Sequence, residues 1–175
     1  MIKTFARTTI LARRERVFDI ATANETLPRV FEGYGPVPAI REATIESGRP
    51  PGPGEVRLVS NSDGSTIREE IDEWVRPRSH RYRLVSGFDP PFSWLIRSAS
   101  GRWAFEEIST GTRVTWRFVF EPASAIAAPL VSFIAAWLFQ PAQVRCLSAL
   151  KELCEADQNG VDGGPAVAPG AGSRG

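Results

Sequence analysis

Three turn signals between Asn61 and Glu121 constrain this chain more than any other feature. Asp63-Gly64 and Thr110-Gly111 are dipeptides suited to two-residue hairpin loops, and Arg76-Pro77-Arg78-Ser79 is a looser turn between alternating runs. A turn fixes strand register, and a slip of one residue sends every side chain of a strand to the opposite face. Closing on Asp63-Gly64 sets Ile67 near Ser60, Glu69 near Leu58 and Ile71 near Val56. A turn at Pro77-Arg78 sets Val75 against His80, Glu73 against Tyr82 and Ile71 against Leu84, and brings Asp72 to Arg83 on the other side. The Thr110-Gly111 turn sets Glu107 against Val114, Phe105 against Trp116 and Trp103 against Phe118, with Arg102, Arg113 and Arg117 turned away.

These registers converge on one curved antiparallel sheet. Its inner face is aromatic yet includes Glu69, Glu73, His80, Tyr82 and Glu107. A core built for stability rarely holds ionisable groups, because an unpaired buried charge costs several kcal/mol or is neutralised. The mixture therefore suits a pocket, unless these groups sit in water at strand ends. Walls from Trp103, Phe105, Trp116, Phe118, Phe133 and Trp137, with Tyr82 and Glu69 or Glu73 as orienting groups, fit a small hydrophobic ligand. The same aromatics also suit plain core packing. Glu73 opposite Tyr82, with Glu69 and His80 beside them, is the pair best placed for acid/base chemistry, since an apolar site moves a carboxyl pKa toward neutrality.

In chain order, Ile2 to Leu11 has strand character, and Arg13 to Ala23 and Leu27 to Phe31 read as two short helices ended by Gly33-Tyr34-Gly35-Pro36. Val37 to Glu46 is a second strand, and Glu55 to Ser60 leads into the four-strand block. The loop Arg49-Pro50-Pro51-Gly52-Pro53-Gly54 is no phosphate cradle, because its prolines lack amide donors and no Gly-Lys-Ser/Thr ending follows. Phe88-Asp89-Pro90-Pro91-Phe92 breaks the ladder, and Trp94-Leu95-Ile96 either resumes it or forms a flap.

From Ala123 the apolar spacing becomes helical, through Ile126, Leu130, Phe133, Trp137 and on to Leu153, with a kink expected at Pro141. No charge lies between Glu121 and Arg145, a run long enough to raise a membrane-spanning reading. The prolines and the amphipathic continuation through Lys151-Glu152 fit a helix packed over a sheet better. If exposed, residues 123–139 would instead serve a transient membrane or partner contact. The Gly/Pro/Ala tail, 157–175, is expected to be disordered, leaving one α+β domain over 1–156.

Composition removes other classes. A net charge of +1 gives no footprint for nucleic acid. One histidine and two cysteines, Cys146 and Cys154, eight residues apart on one helix, imply neither a metal site nor a disulfide between them. The residues imply no cofactor, the amino terminus lacks an apolar signal region, and a cytoplasmic location is the default expectation. Monomer and dimer are not distinguished.

The element order, with Asp63-Gly64-Ser65-Thr66-Ile67-Arg68-Glu69-Glu70-Ile71, Arg81-Tyr82-Arg83-Leu84 and Gly111-Thr112-Arg113-Val114-Thr115-Trp116, resembles the START-like (SRPBCC) superfamily, in particular its polyketide cyclase/dehydrase-like branch. The resemblance spans about residues 1 to 156. It implies a helix-grip fold: a bent antiparallel sheet of about seven strands wrapped around a long C-terminal helix, two short helices after strand 1, and a hydrophobic cavity between. That superfamily includes lipid carriers, hormone and ubiquinone binders and cyclases. The expected function is binding of a lipid, quinone or aromatic polyketide-like molecule. A cyclase/dehydratase using Glu73 and Tyr82 is the alternative.

Overall fold

The computed structural model describes residues 1–87, 90 and 92–159, with side chains described as far as Ala156. Of the tail expected to be disordered, residues 157–159 continue the C-terminal helix, and the remainder, 160–175, lies outside the described residues. Strand β1 (Ile2–Ile10) is followed by helices α1 (Arg14–Thr22) and α2 (Leu27–Val30), then by β2 (Ile40–Ile45), β3 (Val56–Asn61), β4 (Thr66–Val75) and β5 (Ser79–Ser86). A helical turn, α3 (Phe92–Leu95), precedes β6 (Ile96–Ile108) and β7 (Gly111–Pro122). Helix α4 (Ala128–Ile134), a π-helical turn (Ala135–Phe139) and α5 (Gln140–Asn159) complete the described chain. The strands form one seven-stranded antiparallel sheet in the order β1-β7-β6-β5-β4-β3-β2, so α1 and α2 carry the chain from one edge to the other.

The helices cover the sheet's inner face. Leu147, Leu150 and Cys154 of α5 are fully buried, and α5 packs against β1. Phe18 of α1 meets Trp74 and Phe105 edge-on, with ring centroids 5.5 and 5.2 Å apart. Outside, arginines and carboxylates interleave. Arg83 reaches Asp72 at 2.8 Å and Glu70 at 3.0 Å, and Arg68 reaches Glu46 at 2.5 Å. The Asp72–Arg83 contact expected from the turns is therefore present, although the register beneath it differs.

Each hairpin departs from its expected register in a different way. Asn61 pairs around a three-residue loop, accepting from the Gly64 amide and donating its own amide to Ser65, with Gly64 at φ +89°. This longer loop sets Arg57 against Glu69 and Val59 against Ile67, one residue from expectation. Consequently β3 is inverted: Arg57, Val59 and Asn61 point inward in place of Val56, Leu58 and Ser60. At β6–β7 the shift is two residues, with Trp103 opposite Trp116 and Phe105 opposite Val114. An even shift preserves facing, so the aromatic inner face survives.

A β-bulge between Ile71 and Glu73 changes the third case. Asp72 is the extra residue, and facing beyond it is the reverse of what strict alternation gives. Trp74 turns inward opposite His80, and Glu73 turns outward opposite Arg81. Just before Pro141, where a kink is expected, the helix takes a π turn in which the Gln140 amide donates to the Ala135 carbonyl. Placing a wide turn immediately before a residue with no amide lets the helix continue. Residues Ala128–Ala156 are long and apolar enough to cross a membrane by length and mean hydropathy, yet a third of the most apolar stretch (33%) is buried inside the fold.

Candidate functional site

A cavity of about 150 Å³ lies between the sheet and the helices. Its walls are aromatic. Trp103 and Trp116 stack at 4.7 Å between ring centroids, Phe118 lies 4.5 Å from Phe139 of the π turn, and Phe31 closes on Trp116 at 6.1 Å. Cys146 of α5 also lines it, and burial pushes its thiol up to about 12, so this sulfur is an unreactive wall atom.

One part of the lining is polar. The Arg57 guanidinium, 2% exposed, lies 3.7 Å from Glu69 Oε2, and its Nη2 donates to the Thr22 carbonyl at 3.1 Å. Thr22 ends α1, where carbonyls lack helical partners and carry the negative end of the helix dipole, so a cation is favoured there. Burial raises the Glu69 carboxyl above its ordinary range, and the Arg57 charge only partly opposes this. His80 stacks on Tyr82 at 5.3 Å and meets Trp74 edge-on at 5.1 Å. Burial, and secondarily Arg57, lowers its pKa to about 3, so it is a neutral imidazole at physiological pH. Burial, then the Glu69 charge, raises the Tyr82 phenol, which remains protonated.

The Tyr82 ring owes its position to a glycine. Gly101 is its cross-strand partner on β6, and a Cβ there would lie 2.3 Å from Tyr82 Cζ. Absence of a side chain lets the phenol lie flat across the strand.

Of the residues expected at a pocket, Glu69, His80, Tyr82, Trp103, Trp116 and Phe118 come together on this lining. The others do not. Glu73 lies on the outer face, accepts from the Ser79 hydroxyl and sits 3.5 Å from Arg102, because of the bulge at Asp72. The expected Glu73–Tyr82 acid/base pair therefore has no geometry. Glu107 stands at the strand end, its side chain 72% exposed and 3.5 Å from Arg14. Phe105 is buried against Phe18 and Trp103 without lining the cavity. Phe133 and Trp137 are 55% and 67% exposed and stack on each other on the outer side of the helix. Arg57, Asn61, Phe31 and Phe139 line the cavity without having been expected there. Reading Asn61-Ser62-Asp63-Gly64-Ser65 as a three-residue loop with left-handed glycine would have placed Arg57 opposite Glu69.

A seven-stranded antiparallel sheet, a long C-terminal helix and an aromatic hollow between them define the helix-grip class of α+β proteins. Residues 1–155 match the family described as polyketide cyclase / dehydrase and lipid transport, and the chain belongs to that family. No curated protein sequence matches it significantly. Among solved structures, it is similar to the protein XoxI from Bacillus cereus, at 20% identity and a TM-score of 0.65, covering 91% of this chain and 99% of that one. TTHA0849 from Thermus thermophilus has 21% identity and a TM-score of 0.65, with 89% and 98% coverage. Major latex-like protein 151 from Panax ginseng has 15% identity and a TM-score of 0.65, with 86% and 95% coverage.

Proposed function

We propose that this protein binds a small, largely apolar molecule, of the lipid, quinone or aromatic polyketide-like kind, in the cavity between its sheet and C-terminal helix. The observation that carries this reading is the pairing of stacked aromatic walls with a few buried polar groups, the composition by which ligand pockets combine affinity with orientation. The family's description, which includes lipid transport, supports the same reading. Trp103 and Trp116 serve as reporters because both line the hollow. Titration of their fluorescence with lipids, quinones and aromatic polyketides is expected to give saturable quenching for at least one class. Flat responses to all, together with no small molecule retained in native mass spectrometry, would refute it.

A second reading rests on a different observation. Ile126, Leu130, Phe133 and Trp137 form an exposed apolar stripe, 91%, 49%, 55% and 67% exposed, within the charge-free run after Glu121. Helix α3 touches α4 and carries Trp94, itself 71% exposed. We propose that this stripe makes transient contact with a neutral lipid surface, as an apolar patch of this kind indicates. The protein is expected to float with phosphatidylcholine vesicles, and Trp137→Glu to stay behind. Wild type remaining at the bottom of the gradient would dismiss the contact.

A further inference from the structure

The polar end of the cavity says what chemical group its ligand must carry. This inference rests on the ligand-binding reading above and narrows it. Among the described residues that line the cavity, four buried polar atoms have no full hydrogen-bond partner: Arg57 Nε, Glu69 Oε2, His80 Nε2 and Trp116 Nε1, the last of which approaches the Tyr82 hydroxyl without well-formed hydrogen-bond geometry. The first three residues bring charge or an imidazole, and Arg57, His80 and Trp116 are only 2%, 3% and 4% exposed. Leaving such atoms unmatched is costly, and a ligand that answers them recovers that cost.

Their chemistry is mixed. Arg57 Nε and Trp116 Nε1 are donors, and Glu69 Oε2 is an acceptor while ionised. A ketone or ether oxygen would satisfy the donors and leave the carboxylate unmet. A hydrocarbon would satisfy none. A carboxylate ligand would bring a second anion to Glu69, whose charge the single Arg57 guanidinium already balances at 3.7 Å. A hydroxyl group both donates and accepts, and it is neutral. Around it the flat faces of Trp103, Trp116 and Phe118 and a volume of about 150 Å³ suit one substituted ring, the scale at which an apolar cavity of that volume holds benzene.

We propose that the cavity selects a neutral hydroxylated aromatic ring, its hydroxyl donating to Glu69 and accepting from Arg57 or Trp116. The test uses four probes on one scaffold: p-cresol, 4-methylanisole, toluene and p-toluate. Binding is measured by calorimetry and by the amide and indole N–H resonances of the labelled protein. We expect p-cresol to bind roughly tenfold or more tighter than toluene or 4-methylanisole, with p-toluate weakest, and the Trp116 indole N–H signal to move further with p-cresol than with toluene at saturation. Trp116→Phe, which keeps an aromatic wall and removes the indole donor, should weaken p-cresol by a larger factor than toluene, so that the p-cresol/toluene ratio falls. Toluene binding as well as p-cresol, or p-toluate binding best, overturns the hydroxyl assignment while leaving a hydrophobic ligand site intact. If none of the four binds but a longer lipid does, the single-ring assignment falls alone. If lipids, quinones and all four probes fail together, the cavity reading falls with it.

Discussion

Acidification isolates His80 unusually well, because it is the chain's one histidine. Its folded pKa is about 3 against 6.5 for the free side chain, the shift arising mainly from burial. Between those values the unfolded chain takes up a proton that the native protein refuses, so stability falls as pH drops through 6.5 and continues falling toward 3. Each pH unit in that window is worth about 1.4 kcal/mol, and integration from about pH 7 to pH 5 gives a loss of about 2 kcal/mol. Glu69 acts in the opposite sense. Its raised folded pKa means that the native state holds a proton longer, so its contribution recovers as pH falls. Comparing wild type with His80→Gln cancels Glu69 and every other carboxylate. Urea unfolding followed by tryptophan fluorescence should show wild type losing about 2 kcal/mol more than the variant over that range. Parallel pH dependence of the two proteins would refute the assignment of a neutral, buried imidazole.

Arg57→Leu should cost about 3–5 kcal/mol near neutral pH, since it strands Glu69 and the Thr22 carbonyl, and progressively less as pH falls, because the raised Glu69 carboxyl takes up a proton early; denaturant unfolding across the acid range checks this. Gly101→Ala should destabilise by about 1–3 kcal/mol, because the added methyl displaces the Tyr82 ring, and the loss should shrink in the double variant with Tyr82→Leu. Cys146, with a thiol pushed up to about 12 and 2% exposed, should resist iodoacetamide in the native protein and react on unfolding, as mass spectrometry will show.

The architecture was legible because it rests on patterns longer than any local error. Period-two alternation in β6 and β7 survives a turn one residue earlier than expected, because this moves the register by two and only odd shifts reverse a face. Arg57 was hidden for the converse reason: one additional loop residue at Ser62-Asp63-Gly64 reversed β3. Glu73 was misplaced by the Asp72 bulge, which no alternation pattern announces. Phe133 and Trp137 were misassigned because residues 122–144 are apolar around the whole helix. Periodicity finds the helix there but not its buried side, which Val131, Ala135 and Phe139 supply instead, the first two fully buried and the third against Phe118.

The pairing of β1 with β7 joins Ile2 to Phe120 and Ile10 to Thr112. Strand β1 thus waits for a partner made about a hundred residues later, roughly 5–20 s at ordinary translation speeds. Through that interval Ile10 and Ala6 have no mate, and the nascent chain must be kept from foreign strands. Closure of this seam, and with it the hollow it helps enclose, waits until β7 has been made.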